Sequence, residues 1–272
     1  MNDRASINDT ARAGPKFTII TSTFNAADCL PLTARSLAVQ RYRNFEWIII
    51  DGASSDATVG VARGYGELVS TLISEKDSGI YSAWNKALPL IKGDWVLFLG
   101  AGDSLFSDSV LDEICAELRG VSDEITTVYG NVTVFSDMPG KGETVRSDTW
   151  RGLRGPWVAG RPELPCHQGV FQRASLFRSG FQFDTRCKIS ADNEILLREL
   201  VGGRGKKVNV MVARFHADGI SAQRKKRLQM VAESIFINYK LGIFRNRPLY
   251  QTSVLASNAA KHVLRLLGHK TI

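Results

Sequence analysis

Polar residues gather at four places in the first hundred residues, each time directly after an apolar run. These clusters carry carboxylates, hydroxyls and amides, and they occupy residues 21–25, 51–56, 75–79 and 100–103. Ligands of open α/β sheets bind beyond the carboxyl ends of the strands, so the four clusters are predicted to converge on one crevice. Carboxylates placed there could accept hydrogen bonds from a base edge or ligate a hard cation.

The runs before these clusters predict the strands that position them. Residues 45–50 form an apolar run typical of a strand buried on both faces, and residues 17–21, 69–73 and 95–99 are further strand candidates. Apolar residues recur at helical spacing from residue 80 to residue 91. This alternation predicts an α/β fold with a mostly parallel sheet and helices on both faces. A further strand is expected at residues 125–135, and further helices are expected to begin near Ser107 and Ala191.

Composition limits the classes of protein that fit. The chain has 272 residues with 44% hydrophobic content, enough for one substantial core. Its net charge of +8 favours an anionic partner, and the densest basic run is residues 224–227. No apolar stretch reaches the roughly 20 residues that span a bilayer, and the polar start does not resemble a signal peptide, so a cytoplasmic location is expected. The four cysteines are scattered and are expected to be reduced.

Several sequence motifs, which occur in a fixed order along the chain, resemble those of a known family. T-S-T-F-N, the run from S-L-A-V-Q to D-G-A-S-S-D-A-T, E-K-D-S-G-I-Y-S-A-W-N-K-A and G-D-W-V-L-F-L-G-A-G-D resemble the nucleotide-binding half of family-2 inverting glycosyltransferases. Two later words, C-H-Q-G-V-F-Q-R and S-A-D-N-E-I-L-L-R-E-L, resemble the acceptor half of a bacterial exopolysaccharide and colanic-acid-type branch. The resemblance implies a GT-A, Rossmann-like fold.

The resemblance also implies a domain organisation. It covers about residues 16–220, with a nucleotide-sugar-binding half at 16–120 and an acceptor-binding half at 121–220. Residues 1–15 would be a polar tail, and residues 221–272 a basic, amphipathic helical region. Within that region, residues 221–241 predict a helix whose buried stripe consists of apolar side chains. The stripe comprises Leu228, Val231, Ala232, Ile235 and Phe236.

Carried over by residue, the resemblance implies a donor-binding site. Phe24 and Asn25 would line the nucleobase and ribose with Thr21, while Asp51 would accept a hydrogen bond from the base; a helix cap is the alternative role for Asp51. His167 and its neighbour Gln168 would contact the donor phosphate or the acceptor. Asp77 is expected near the sugar, and Lys86 near the diphosphate unless it is a solvated helix lysine. The full donor-binding set is Thr21, Phe24, Asn25, Asp51, Ser54, Asp77, Lys86, Gly102 and His167.

Metal binding and proton transfer are assigned to separate carboxylates. Asp103 matches the last acid of the family's metal motif, which implies Mg²⁺ or Mn²⁺, although Gly100 replaces the first acid. His216 is a candidate second ligand, and a strand-end histidine is the alternative. Asp192 matches the catalytic base of an inverting transferase. A helix-capping aspartate is its alternative role, and Glu194 is the substitute if the register is shifted.

The expected function is sugar transfer with inversion from a nucleotide sugar, with UDP favoured and GDP as the alternative, to a glycan or lipid-linked acceptor. The basic C-terminal region could lie on an anionic membrane surface, or it could be a packed helix with a solvated basic face. Gly100 motivates one competing class, a non-catalytic nucleotide-sugar-binding protein. The charge motivates another, a nucleic-acid binder, which the lack of interleaved aromatic residues disfavours. No G-x-G-x-x-G word follows the first strand, which disfavours a Rossmann dehydrogenase.

Overall fold

The four predicted strands of the first half form one parallel arrangement. The computed structural model describes residues 14–135, 142–216 and 226–243. The four strands are β1 Phe17–Thr23, β2 Phe45–Asp51, β3 Thr71–Ser74 and β4 Trp95–Phe98. Strand β1 pairs in parallel with β2 and with β4, and β2 pairs in parallel with β3. Their carboxyl ends therefore lie along a single edge of the sheet.

The second half of the sheet is mixed. The order is β3-β2-β1-β4-β10-β6-β11-β5, with β7 attached to β6, and β8 and β9 forming a separate hairpin. The direction reverses at β10, which is antiparallel to both β4 and β6. The remaining strands are β5 Ser104–Leu105, β6 Thr127–Phe135, β7 Thr144–Arg146, β8 Trp157–Val158, β9 Arg161–Pro162, β10 Val170–Arg173 and β11 Gly205–His216. A mostly parallel sheet thus describes β1–β4, whereas the second half has both directions.

Helices cover both faces of the sheet, which confirms the predicted fold class. Their order is α1 Leu30–Ala38, α2 Thr58–Gly64, α3 Ile80–Ala87, α4 Val110–Leu118, α5 Ala174–Arg178, α6 Asp192–Val201 and α7 Arg227–Lys240. Short 3-10 helices lie at Gly66–Leu68, Leu88–Leu90 and His167–Gly169. Pro31 lies in the first turn of α1, where its missing N–H leaves no hydrogen bond unmade.

Strand alternation divides the core into two layers. In β1, Ile19 faces a cluster built with α1 and α4, and Ile20 faces one built with α3 and α6. Both side chains are completely buried, as successive residues are in a strand covered on both sides. The second cluster includes Ile237 of α7, so this helix contributes to the same core as the sheet.

The C-terminal helix differs from its prediction in the face that it buries. Residues 226–240 are helical or enter the helix, but the predicted stripe is not the fully buried face: Leu228 is 61% exposed and Ala232 is exposed, while Val231, Ile235 and Phe236 are half-buried. The buried side chains of α7 are Glu233, Ser234, Ile237 and Asn238. The other residues of the predicted 221–272 region, 221–225 and 244–272, lie outside the described residues. The domain boundary at residue 221 remains a prediction.

Two compositional expectations can be compared with the structure. All four cysteines are free, and Cys115 and Cys187 are buried. Among the described residues, no helix has the length and apolar character needed to cross a membrane.

Candidate active site

The carboxyl ends of β1, β2 and β4 meet as the sequence predicts. Thr23 pairs with Asp51 at the ends of β1 and β2, and the Gly52 N–H donates to the Thr23 carbonyl at 2.9 Å. The Leu99 N–H, just after β4, donates to the Ile20 carbonyl at 3.0 Å. The polar clusters after these strands consequently share one edge of the sheet.

Asp51 is the buried centre of this edge. Its carboxylate accepts hydrogen bonds from the hydroxyls of Thr23 (2.9 Å), Ser74 (2.7 Å) and Ser54, and from the Ser54 N–H (2.9 Å). Burial would raise the pKa of Asp51, but the hydrogen bonds from Ser54, Ser74 and Thr23 together hold the pKa below its usual value. Both oxygens are thus occupied by the protein's own donors, and Asp51 fixes the shape of the loop after β2.

The loop after β1 is tied to the loop after β2 by Asn25 and Ser54. The Asn25 N–H donates to the Ser54 hydroxyl at 2.8 Å, and the Asn25 side-chain oxygen accepts from the Ser55 N–H at 2.9 Å. Asn25 has φ 48°, a left-handed conformation that asparagine tolerates better than most residues. Phe24, beside it, is 67% exposed. An exposed aromatic ring on a braced turn is available to a planar ligand such as a nucleobase.

Thr21 does not reach this surface. It is completely buried, and its hydroxyl accepts a hydrogen bond from the indole N–H of Trp47 at 2.9 Å. The alternation of β1 turns its side chain to the same covered face as Ile19, so in this conformation Thr21 lies beneath the site and does not line it.

Asp77 and Lys86 shape the loop between β3 and α3. The Asp77 carboxylate packs so close to Gly52 that a methyl group at position 52 would lie 3.0 Å from Oδ2. Its Oδ1 accepts from the Gly79 N–H at 2.8 Å. Lys86 reaches back from α3 to Glu75, with Nζ 2.9 Å from Oε1, and donates to the Lys76 carbonyl. Asp77 therefore borders the Asp51 loop, while the Lys86 ammonium is engaged with its own loop.

Asp103 folds back onto Gly100. The Gly100 N–H donates to Asp103 Oδ2 at 3.1 Å, and a Cβ at position 100 would lie 2.8 Å from that oxygen. The absent first acid of the motif thus leaves room that the second acid occupies. Burial raises the pKa of Asp103 to about 7, although hydrogen bonds from the Gly100 N–H and the Gln168 side chain oppose the rise. Gly102 has φ 93° and packs against Cys29, so this turn requires glycine there.

Asp192, the first residue of α6, lies between two partners from distant parts of the chain. Its Oδ1 accepts from the Tyr81 hydroxyl at 2.6 Å, and its Oδ2 lies 3.7 Å from Nδ1 of His167. The second distance is too long for a good hydrogen bond, so Oδ2 retains accepting capacity. Glu194, the alternative base, is instead engaged by Lys240 Nζ at 2.8 Å.

His167 is a buried, neutral imidazole. It stacks on Trp84 with ring centroids 5.1 Å apart, and its buried Nε2 has no hydrogen-bond partner in the part of the chain that the structure describes. Burial lowers the pKa of His167, while the Asp192 carboxylate acts in the opposite direction. His167 and Gln168 are successive residues of one 3-10 helix, and they contact Asp192 and Asp103 respectively. This short helix lies next to both the predicted general base, Asp192, and the predicted metal ligand, Asp103.

Two residues of this site were not found from the sequence. Tyr81 lies inside the E-K-D-S-G-I-Y word, so its position was visible but its partner was not. Arg161, in β9, is close enough to Asp192 for the carboxylate to raise its pKa, although burial lowers the pKa more strongly. Its surrounding sequence carries no signal, because Arg161 lies in the β8–β9 hairpin, about 30 residues before Asp192 in the chain.

The metal prediction can be compared with the available ligands. In β11, Arg214 pairs with Ser104 in antiparallel register, and the His216 ring packs edge-on against Phe135 with ring centroids 4.8 Å apart. Among the described residues, no group of three or more His, Cys, Asp or Glu side chains is arranged to hold a metal ion. One carboxylate nevertheless fits a Mg²⁺-type site, since that cation commonly takes one or two carboxylates and completes its shell with water and substrate phosphates.

The fold and the site define a class, the GT-A glycosyltransferases, and comparison with known proteins gives the family. The family model described as "Glycosyl transferase family 2" matches residues 18–164. A "PGL/p-HBAD biosynthesis glycosyltransferase" of Mycobacterium bovis is 33% identical over 189 residues, 68% of this chain and 70% of the relative. The chain belongs to glycosyl transferase family 2, which confirms the resemblance inferred from its sequence words.

Further relatives extend the comparison. The "Amylovoran biosynthesis glycosyltransferase AmsB" of Erwinia amylovora is 29% identical over 128 residues, 44% of this chain and 42% of the relative. S. aureus TarS 1-349 in complex with UDP has a TM-score of 0.59 at 18% identity, covering 81% of this chain and 65% of TarS. The mannosyltransferase PcManGT from Pyrobaculum calidifontis, in complex with GDP-Man and Mn²⁺, has a TM-score of 0.56 at 16% identity, covering 92% of this chain and 81% of PcManGT. The two structures establish the fold.

Proposed function

We propose that this glycosyltransferase inverts the anomeric configuration of its donor sugar, with Asp192 as the general base. The observation that carries the proposal is the 3-10 helix His167–Gly169, whose first two residues contact Asp192 and Asp103. This supports a displacement at an anomeric carbon in which Asp192 would serve the acceptor hydroxyl and Asp103 the departing diphosphate.

In the proposed step, the acceptor hydroxyl oxygen attacks the anomeric carbon of the donor. The bond from that carbon to the diphosphate oxygen breaks, and its electron pair leaves with the nucleoside diphosphate. Asp192 Oδ2 takes the hydroxyl proton, while Tyr81 holds Oδ1 at 2.6 Å and so orients the carboxylate. Attack on the face opposite the leaving group converts an α-linked donor into a β-linked product.

The donor is proposed to be a UDP-sugar, with a GDP-sugar as the alternative. Support comes from the two similar folds, which hold UDP in TarS and GDP-Man in PcManGT. In this chain, exposed Phe24 and the Asn25–Ser54 turn supply an aromatic face and polar groups beside the buried Asp51. Asp77, in the neighbouring loop against Gly52, is proposed to face the sugar.

A divalent cation, Mg²⁺ or Mn²⁺, is proposed at Asp103, with His216 as a candidate second ligand. When bound, such a cation would neutralise charge on the departing diphosphate. Asp103 would supply the only carboxylate of the predicted ligand set, and its Oδ2 already accepts from the Gly100 N–H. The site is therefore expected to bind the cation weakly without the nucleotide sugar and more tightly with it.

The acceptor is proposed to be a glycan or a lipid-linked intermediate of bacterial cell-surface polysaccharide assembly, on the cytoplasmic face of the membrane. Relatives named for PGL/p-HBAD and amylovoran biosynthesis support this class. Helix α7 opens with Lys226 and Arg227 and exposes Leu228 and Tyr239, a composition suited to an anionic bilayer surface. Co-sedimentation with anionic but not neutral vesicles, weakened in Lys226→Glu/Arg227→Glu, tests this association.

The decisive experiment measures nucleoside diphosphate release from a panel of UDP- and GDP-sugars, with and without EDTA. The anomeric configuration of the transferred sugar is read by NMR on the product. Release that requires one donor class, falls with EDTA and gives a β-linked product is expected. An α-linked product from an α-linked donor would contradict inversion, and full activity in EDTA would contradict the cation at Asp103.

One observation favours a second candidate, a non-catalytic nucleotide-sugar-binding protein. Gly100 replaces an acid, and Asp103 is turned onto the Gly100 N–H. The same panel separates the two: thermal stabilisation by a nucleotide sugar without any turnover, across acceptors and metals, would identify the binding protein.

A further inference from the structure

The buried face of α7 is mostly polar. Glu233 is 8% exposed, and Ser234 and Asn238 are buried beside it, although a packed helix normally buries an apolar stripe. Removing a carboxylate from water is unfavourable unless hydrogen bonds replace its hydration. The contacts of Glu233 should therefore show what this helix face does.

Glu233 accepts hydrogen bonds from three successive backbone N–H groups. Its Oε1 accepts from the Lys188 N–H at 2.8 Å, and its Oε2 from those of Ile189 and Ser190 at 2.9 Å each. The side chain of Gln229, one turn earlier, donates to Oε1 at 2.9 Å. Consecutive N–H groups that converge on one anion form a nest, which fixes the backbone that carries them. Here the 188–190 backbone leads into α6 and ends two residues before Asp192, the first residue of that helix.

A second polar contact of α7 reaches the β8–β9 hairpin. The Asn238 side chain donates to the Gly160 carbonyl at 2.7 Å. Gly160 precedes Arg161, whose pKa is lowered by burial and raised by the charge of Asp192. Helix α7 therefore holds both the backbone before Asp192 and the hairpin that brings Arg161 to it.

We propose that Glu233 is a positioning residue for sugar transfer, acting by fixing the 188–190 backbone and with it the orientation of Asp192. The inference rests on the proposed function, in which Asp192 accepts the proton of the attacking hydroxyl. A displacement of about 1 Å at a reacting group can lower a rate about 100-fold, so a loop that only moves slightly would affect turnover.

The test compares Glu233→Gln with Glu199→Gln. In Glu233→Gln the introduced side chain would present an amide N–H₂ to backbone N–H donors, which disrupts the nest without removing much volume. Glu199 is a matched control because it is 1% exposed, accepts from Thr126, Arg198 and Arg204, and lies near the other end of α6. Both variants should lower Tm. Only Glu233→Gln should lower kcat, by about 10- to 100-fold, with the donor KM changed by less than about threefold.

A double-mutant cycle shows whether Glu233 acts through Asp192. In an Asp192→Asn background, Glu233→Gln should have no further effect on the residual turnover, because the group that it positions is already absent. If Glu233→Gln does not fold, Glu233→Asp keeps the charge with a shorter side chain and should show the same selective loss of kcat to a smaller degree.

The outcomes separate the inference from the proposed function. If Glu233→Gln folds and its kcat equals that of Glu199→Gln, the positioning role of Glu233 is overturned. The proposed function still stands in that case, provided that Asp192→Asn is inactive. Equal, additive losses in the wild-type and Asp192→Asn backgrounds overturn it as well. Full activity of Asp192→Asn overturns both.

Discussion

The carboxylates of Asp51 and Asp192 both lie at the active-site edge, but their surroundings differ. Asp51 accepts four hydrogen bonds from within the protein and is completely buried. Asp192 has a close donor, Tyr81, on one oxygen and a neutral His167 at 3.7 Å from the other. A carboxylate with every lone pair engaged can hold a loop in shape, whereas one with unused capacity can accept a proton. The Asp51 side of the site is thus fixed in shape, whereas Asp192 keeps the accepting capacity that its proposed role as general base requires.

The largest effect that would sharpen this comparison is expected from Asp192→Asn. The amide cannot take the acceptor proton, so kcat should fall by about 10³-fold, within the range for loss of a general base. Donor affinity should stay close to that of the wild type, because the Asp51 side is untouched. Steady-state kinetics with isothermal titration of the nucleotide sugar measures both. An equal loss of donor affinity would show that the two sides are not separate.

Asp51→Asn should produce the opposite pattern. One oxygen becomes an N–H₂ that faces hydroxyl and backbone donors, so we expect a loss of folding free energy of about 2–3 kcal/mol and weaker donor binding. Chemical denaturation and donor titration are the measurements.

The chain offers a matched control for Asp51 at the other end of β2. Glu46 is buried and accepts from the Thr18 hydroxyl at 2.6 Å and the Lys92 N–H at 2.7 Å. Glu46→Gln should lose stability in the same way but leave donor affinity unchanged. If the two variants weakened donor binding equally, Asp51 would have no local role in shaping the nucleotide site.

Tyr81→Phe tests the contact that orients Asp192. A hydrogen bond to a charged group contributes about 1.5–3 kcal/mol, so its loss should lower kcat by about 10-fold or more, with little change in donor KM. Tyr42→Phe is the matched control, because the Tyr42 hydroxyl donates to the Pro15 carbonyl at 2.8 Å. Unaltered turnover in Tyr81→Phe would mean that Asp192 is held without this hydroxyl.

The smallest effect concerns the pH dependence of stability. The folded-state pKa of His167 is below the ordinary value of 6.5, so the unfolded chain binds the proton first as pH falls. Neutral His167 therefore contributes to the free energy of unfolding at pH values above its ordinary pKa. This contribution is lost as the pH falls through and below that value. Asp103 acts oppositely: with a folded pKa of about 7 against 3.8, its contribution falls as pH rises between those values.

The His167 effect is therefore measured as a difference from a variant. The fall in Tm on acidification from about pH 7.5 to about pH 5 should be smaller in His167→Gln than in the wild type. Parallel Tm curves for the two proteins would contradict a buried neutral imidazole.

The nucleotide half of the protein was largely predictable from its sequence. Apolar runs that are followed by polar clusters predicted the parallel strands, because the ends of strands and the loops after them are local features of the chain. The same local pattern could not show that Thr21 and Asp51 point into the protein. Exposure depends on which side chains lie opposite, and Trp47 and Ser74 are contributed by other strands.

The transfer half was predictable only in part. The words around His167 and Asp192 identified both residues, but the Tyr81–Asp192 hydrogen bond joins residues 111 positions apart. The stripe predicted for α7 followed hydrophobic periodicity and is not the fully buried face, because the helix instead buries Glu233 and Asn238 against backbone groups. A buried polar residue is stabilised by its partners, and helical spacing does not reveal them.

The sequence by itself determined the family, the strand ends that carry the polar clusters, and the residues that could accept a proton or hold a cation. Those properties depend on residue type and local order. Tertiary structure decided which carboxylates accept hydrogen bonds from internal donors and which keep accepting capacity. It also brought Asp103 and Asp192 next to Gln168 and His167 of one 3-10 helix. Hydrogen-bond satisfaction depends on groups far apart in the chain, and only folding brings them within bonding distance.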